Sequence, residues 1–99
     1  PTTKLIDEVK FCGNNSGRNL DKFSATGLTP NRAVVVDSQL IEECPINIEC
    51  RVVKEEEIGN CEWFFGEIKK VHVTEEYKRL NSLLYGNNIY HNLKLKEYK

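Results

Sequence analysis

The sequence has no methionine, only three prolines, two histidines and one tryptophan. No apolar run approaches the about 18 residues that a membrane helix requires. The basic n-region and apolar h-region of a secretory signal are also missing, although the first residue is Pro1. Fourteen Lys and Arg stand against fifteen Asp and Glu, a formal net charge of −1. No excess of one sign remains for a nucleic-acid arm, a polybasic membrane patch or an acidic tail. There is no C-x-x-C and no Cys/His pair at zinc-finger spacing, so no metal site is expected. Walker and Rossmann glycine spacings are absent, and none of Ser16, Ser24, Ser38 and Ser82 lies in a G-x-S-x-G elbow.

What is present describes one soluble, neutral domain. The 99 residues are 39% hydrophobic and include nine aromatics, too many for a disordered chain. Cys12, Cys44, Cys50 and Cys61 are even in number and allow two disulfides in three connectivities. Without a secretion signal the expected compartment is the reducing cytoplasm. There Cys50, in an alternating apolar run, behaves as a small core hydrophobe. The sequon Asn14-Asn15-Ser16 carries no weight in that compartment.

Periodicity suggests a sequence of short elements. Leu5, Ile6, Val9 and Cys12 recur at helical spacing, with Thr3 as the N-cap and Gly13 as the stop. A second helix is expected over 18–26, capped by Ser16 or Asn19 and ended by Gly27. Thr29-Pro30-Asn31 reads as a turn and Val34-Val35-Val36 as a short strand. From Ile46, apolar Ile46, Ile48, Cys50 and Val52 alternate with Asn47, Glu49 and Arg51, the pattern of a strand with one wet face. Glu55 to Asn60 reads as a polar turn. A second strand over 61–73 then completes a long antiparallel hairpin. Gly66 within it suggests a bulge or a close approach. After Thr74 two readings stand: a helix with Tyr77, Leu80 and Leu84 on one face, or a strand, a Gly86-Asn87-Asn88 turn and a second strand.

That inventory is short of partners. A lone hairpin is marginal in water, and a chain of about 100 residues buries only roughly 60–65% of its unfolded surface. The strands are therefore expected to be completed by a partner subunit or by chain beyond these residues.

Candidate chemistry concentrates at Asn15 to Phe23. A Gly-containing turn that opens a helix presents free N–H groups. Ser16, Arg18 and Lys22 would surround that end with a hydroxyl and two cations, Arg18 and Lys22 sharing one face, as a phosphate or carboxylate ligand requires. An ordinary solvated helix start would show the same residues. His72 reads as a partly exposed rung and Cys61 as a quiet semi-buried thiol or a ligand-facing one. Glu42-Glu43 and Glu55 to Glu57 read as solvated loop acids, and Trp63, Phe64 and Phe65 as cross-strand packing.

Several motifs in register extend this reading. They are Cys12-Gly13-x-x-Ser16-Gly17-Arg18-x-x-Asp21-Lys22-Phe23, then Thr26-Gly27-Leu28-Thr29-Pro30, then Ile41-x-Glu43-Cys44-Pro45-Ile46-x-Ile48-Glu49-Cys50, and Gly59-x3-Trp63-Phe64-x-Gly66-Glu67-Ile68. Together they resemble the flavoredoxin-type branch of the flavin reductase-like, FMN-binding split-barrel family, from about residue 3 to residue 90. The resemblance implies a mainly β fold with short helices, part of an FMN-binding split β-barrel. It also implies a homodimer with flavin near the interface and electron transfer from a reduced nicotinamide to flavin. Lys22 matches a family lysine that approaches the flavin, and Ser16-Gly17-Arg18 the turn leading to it. Tyr90 aligns with an aromatic near the isoalloxazine ring. Cys61 stands where many relatives carry a flavin-facing histidine, and a thiol cannot supply the imidazole's proton. Pro1 falls in the middle of the family pattern, so residues 1–99 are expected to be the C-terminal portion of the domain, without its N-terminal strands. Two alternatives remain: a non-catalytic flavin or anion-binding module, and a structural fragment inactive without those strands.

Overall fold

The computed structural model describes residues 1–75, 77–78, 81–86 and 89–92. A single 3-10 turn, Thr3–Leu5, runs into helix α1 (Ile6–Asn14). Leu5, Ile6, Val9 and Cys12 are half-buried, while Lys4, Asp7 and Lys10 face solvent, as their spacing requires. Gly13 does not stop this helix. Asn15 does, by donating its side-chain N–H to the Phe11 carbonyl at 2.9 Å. Helix α2 spans only Lys22–Thr26, shorter than the 18–26 expected from sequence. Asp21 is its N-cap, and its carboxylate accepts the N–H groups of Phe23 and Ser24. Gly27 ends α2 as anticipated, at φ 74° with its N–H on the Phe23 carbonyl.

Strand β1 (Pro30–Arg32) pairs antiparallel with β2 (Gln39–Ile41), so Thr29-Pro30-Asn31 leads into a strand instead of forming a turn. Pro30 tolerates this place because it opens a short edge strand. Val34 to Val36, read as a strand, lie in the connection between β1 and β2, where their N–H groups go to a side chain and not to a ladder. The long hairpin is present as expected. Strand β3 (Ile46–Ile58) and strand β4 (Cys61–Val73) pair from Ile46–Val73 to Ile58–Cys61. Glu55 to Glu57 belong to the ladder, and the turn contracts to Gly59-Asn60. Register shifts fall between Glu49 and Cys50 and between Val52 and Lys54. Gly66 answers both readings of the sequence. It pairs with Val52 at the second shift, and a Cβ there would stand 3.0 Å from Cys50 Cβ.

Of the two readings for the last quarter, the two strands are present: β5 (Leu83–Gly86) pairs with β6 (Ile89–Asn92), and Asn87 and Asn88 of the expected turn lie outside the described residues. Thr74 begins no helix among the described residues. Its N–H goes to the Pro45 carbonyl, and its own carbonyl closes a turn with Tyr77. Leu80, part of the helical reading, lies outside the described residues.

The chain is mainly β with short helices, and among the described residues the strands form three two-stranded sheets. Among the described residues only Ala33, Cys44 and Glu49 are buried. Burial along β3 does not follow the expected period of two: Ile46 and Asn47 are both half-buried, Arg51 and Val52 are both exposed, and Glu49 alone is buried. Glu49, from the set expected to be wet, is 2% exposed, whereas Ile48 is 51% exposed. Cys50 is exposed too, and Cys44 takes the buried role expected of it. All four cysteines are free.

Candidate functional site

The segment from Asn15 to Lys22 is a compact turn held by its own side chains. The Arg18 N–H donates to Ser16 Oγ at 3.2 Å, and the Asn19 N–H donates to the Ser16 carbonyl at 3.2 Å. The Lys22 ammonium reaches back to the end of α1 and donates to the Cys12 carbonyl at 2.7 Å. Its Cε would lie 3.9 Å from a Cβ at Gly17, so the lysine stem lies along the turn. Ser16, Gly17, Arg18 and Lys22 are thus gathered as expected, but by a different device. Arg18 lies in the turn and not on α2, so it shares no helix face with Lys22. The first N–H groups of α2 are already taken by Asp21. The hydrogen bond from the Ser24 hydroxyl, followed by that from its N–H, holds the Asp21 carboxyl below its ordinary value and keeps it charged there. The helix start is therefore not an anion site, and the cationic groups must act as side chains.

Tyr90, on β6, meets helix α1. The Lys10 ammonium lies 5.6 Å from its ring centroid, and the Tyr85 ring packs at 4.8 Å, tilted by 43°. Lys10 was not singled out from the sequence. Cys61 is elsewhere: it opens β4 opposite Ile58 at the tip of the long hairpin and is exposed, not semi-buried. No hydrogen bond among the described residues joins it to the 16–22 turn. A cleft of about 370 Å³ between the N-terminal turn and the base of the hairpin, lined by Thr3, Lys4, Glu42, Pro45, Thr74 and Lys78 among others, contains none of the expected site residues.

One loop acid, one strand acid and one amide do structural work that sequence reasoning did not foresee. Glu43 accepts the N–H and hydroxyl of Thr29, and that N–H bond, the largest influence, lowers its carboxyl below the ordinary value. Asn47 imitates a missing strand. Its oxygen accepts the Ile41 N–H at 2.9 Å, and its amide donates to the carbonyls of Ile41 and Cys44 at 3.0 and 3.1 Å. His72 is the partly exposed rung expected, and it also meets the Glu49 carboxylate. The available signal was an acid set between Ile48 and Cys50 on a strand, one diagonal step from a histidine on the facing strand.

The residues present fit an anionic, flat cofactor in kind. An ammonium has three donors, and Lys22 has spent one, so two remain for an anion beside the Ser16 to Arg18 turn. Arg18 is exposed and makes no ion pair among the described residues. Tyr85 and Tyr90 supply aromatic surface beside Lys10 of α1.

Residues 2–94 match the family described as the flavin reductase like domain. An uncharacterised protein of Archaeoglobus fulgidus is 42% identical over 74 residues, which is 75% of this chain and 41% of that protein. Among solved structures, flavoredoxin of Desulfovibrio vulgaris (Miyazaki F) superposes with a TM-score of 0.85 at 27% identity, covering 100% of this chain and 58% of that one. A Shewanella frigidimarina NCIMB 400 protein assigned as a flavin reductase with a split barrel domain gives a TM-score of 0.79 at 18% identity, covering 100% and 57%. That last likeness speaks for the fold alone. The chain spans less than two thirds of the length of each of these relatives.

Proposed function

The chain belongs to the flavin reductase-like domain family, and from that premise we propose that it is the C-terminal portion of a split-barrel flavoprotein that binds FMN and passes electrons from a reduced nicotinamide to flavin. One observation carries the reading. The Lys22 ammonium is fixed on the Cys12 carbonyl beside the Ser16-Gly17-Arg18 turn, with two donors to spare. A phosphate or a flavin oxygen is the acceptor such a group accommodates. In this reading Arg18 supplies a second, exposed cation. Tyr90 offers a ring edge for the isoalloxazine. The bound flavin supplies the electron-accepting ring. We further propose a cytoplasmic homodimer, since the exposed apolar faces of the long hairpin are of the kind a second subunit or further barrel strands would cover.

The test is a visible spectrum of the protein with equimolar FMN after gel filtration. Flavin should co-elute with a shifted band, and Lys22→Ala should weaken binding by about 1–3 kcal/mol, the cost of losing a charge-assisted hydrogen bond. Unchanged affinity in the variant overturns the role of Lys22. Flavin eluting only as free dye overturns the reading for this length of chain.

A second reading has one observation in its favour. Cys61 stands where many relatives carry histidine, is exposed at the hairpin tip and has no hydrogen bond to the turn, so no imidazole is offered there. A flavin-binding module without turnover would look like this. Oxidation of NADH with added FMN decides: turnover excludes the module.

A further inference from the structure

Glu49 is 2% exposed, yet its carboxylate is surrounded by donors. Oε1 accepts the N–H groups of Val35 at 2.6 Å and Val36 at 3.1 Å. Oε2 accepts the Val34 N–H at 3.1 Å and faces His72 Nε2 at 2.5 Å. An ionised carboxylate can only accept, so the imidazole donates. Three successive amides converging on one anion form a backbone nest of the kind that binds phosphates and carboxylates. Here the ligand comes from the chain itself, and an imidazole completes the set.

We propose that the amides of Val34 to Val36 and the His72 ring form a carboxylate-binding site that the chain fills with its own Glu49, and that this occupancy fixes the 33–38 loop over β3. The site shares no residue with the proposed flavin site and stands whether or not flavin binds. The alternatives for those amides are few. Val34 to Val36 make no ladder bonds, and within the loop only the Ala33 N–H to Ser38 carbonyl and Ser38 N–H to Val36 carbonyl bonds close it. Beside the carboxylate a cavity of about 180 Å³, walled by Ala33, Val36, Leu40, Ile48 and Cys50 among others, has room for a small acid if the Glu49 side chain is removed. The other charged groups on the elements around this position are Lys70, opposite Glu49 in the ladder, Arg51 on β3, Arg32 at the end of β1 and Asp37 within the loop. Among the described residues only His72 forms an ion pair with the carboxylate. Burial raises the Glu49 carboxyl, but the His72 bond and the three amides outweigh it and hold the group at about 2. The site is therefore filled by an anion throughout the neutral range.

Amide hydrogen exchange and amide resonances of Val34, Val35 and Val36 test this in the whole protein. In the unaltered protein the three amides should exchange at least ~10-fold more slowly than those of an open loop, and added formate should not move them. Exchange at open-loop rates overturns the proposal. In Glu49→Ala the protection should vanish and return as sodium formate is added, but not with sodium chloride at equal ionic strength. A folded variant indifferent to formate overturns it. Should Glu49→Ala fail to fold, Glu49→Gln decides. It keeps one acceptor oxygen, so at least one of the three amides must lose protection, and protection unchanged at all three refutes the site.

Discussion

The two ends of one hairpin behave as different materials. At its base, Ile46 to Cys50 and Ile68 to Val73 are tied to the rest of the molecule. Asn47 holds Ile41 and Cys44, Glu49 holds the 33–38 loop and His72, and the Pro45 carbonyl holds Thr74. Toward its tip, Arg51 to Ile58 and Cys61 to Glu67 touch little but each other. Exposed apolar side chains do not separate the regions: Val52, Val53, Ile58, Trp63, Phe64 and Phe65 near the tip are between 43% and 61% exposed, and Ile48, Ile68, Val71 and Val73 at the base between 50% and 61%. The salt bridge there, Lys54 to Glu56 at 3.5 Å, joins two well-exposed side chains and contributes little. The strands are continuous across both regions, so ladder hydrogen bonding does not make the difference. Side chains that bond to backbone beyond the hairpin do.

This difference shows what kind of core the chain has. A buried carboxylate and an amide each satisfy several backbone groups of a neighbouring segment, and any one of those groups left unpaired would be costly. The apolar residues that would ordinarily do the tethering point outward. Thirteen-residue strands at about 3.3 Å per residue run some 43 Å, and a two-stranded ribbon of that length does not stand alone comfortably in water.

The contrast can be broken from its strong side first. Glu49→Ala should have the largest effect, releasing the 33–38 loop and lowering the midpoint of thermal unfolding more than the substitutions at Asn47, Gly66 or Phe64. Acid does the same more gradually. The folded carboxyl is depressed from 4.5 to about 2, so its contribution is complete above about pH 4.5 and fades as pH falls toward 2. An acid titration followed at the Val35 amide should show this loss, and Glu49→Gln should flatten it. Asn47→Ala removes three hydrogen bonds and should cost about 2–3 kcal/mol in denaturant unfolding, while Asn47→Asp keeps the Ile41 N–H bond and loses less. Gly66→Ala probes the boundary between the regions. Its Cβ would press on Cys50 Cβ at 3.0 Å and should cost about 1 kcal/mol, relieved in a Cys50→Gly background. Phe64→Ser, at the tip, should change chain stability by no more than ~0.5 kcal/mol and chiefly improve solubility. A large loss there would mean that the tip packs as tightly as the base.

Much of this was legible beforehand where the signal is local. The first helix, the Gly27 stop, the long hairpin and its irregularity near Gly66 follow from spacing, from glycine's backbone freedom and from period-two alternation. The gathering of Ser16 to Arg18 with Lys22 was also legible, though the lysine folds back on Cys12 instead of projecting from a helix face. The errors fall where a distant side chain outbids local preference. Val34 to Val36 are β-branched and would suit a strand, but their amides are claimed by Glu49, fourteen residues away from the middle one. Pro30 looked like a turn former, but Glu43 draws Thr29 into line and β2 accepts the strand.

The sequence by itself determined the first helix, the Gly27 stop, the two long strands of the hairpin, and membership of the family through motifs kept in register. Those are matters of dihedral preference, side-chain period and residue identity, all written along the chain. The tertiary structure alone decided that Glu49 is the buried residue of β3. Alternation tells a strand's two faces apart but cannot say that one acid will be buried, because that depends on unpaired backbone groups brought to Glu49 from another segment. It also decided that Lys22 folds back on Cys12 and that Tyr90 meets Lys10 while Cys61 stands at the hairpin tip, since placement in space is fixed by how the elements fold back on one another and not by the motifs along them.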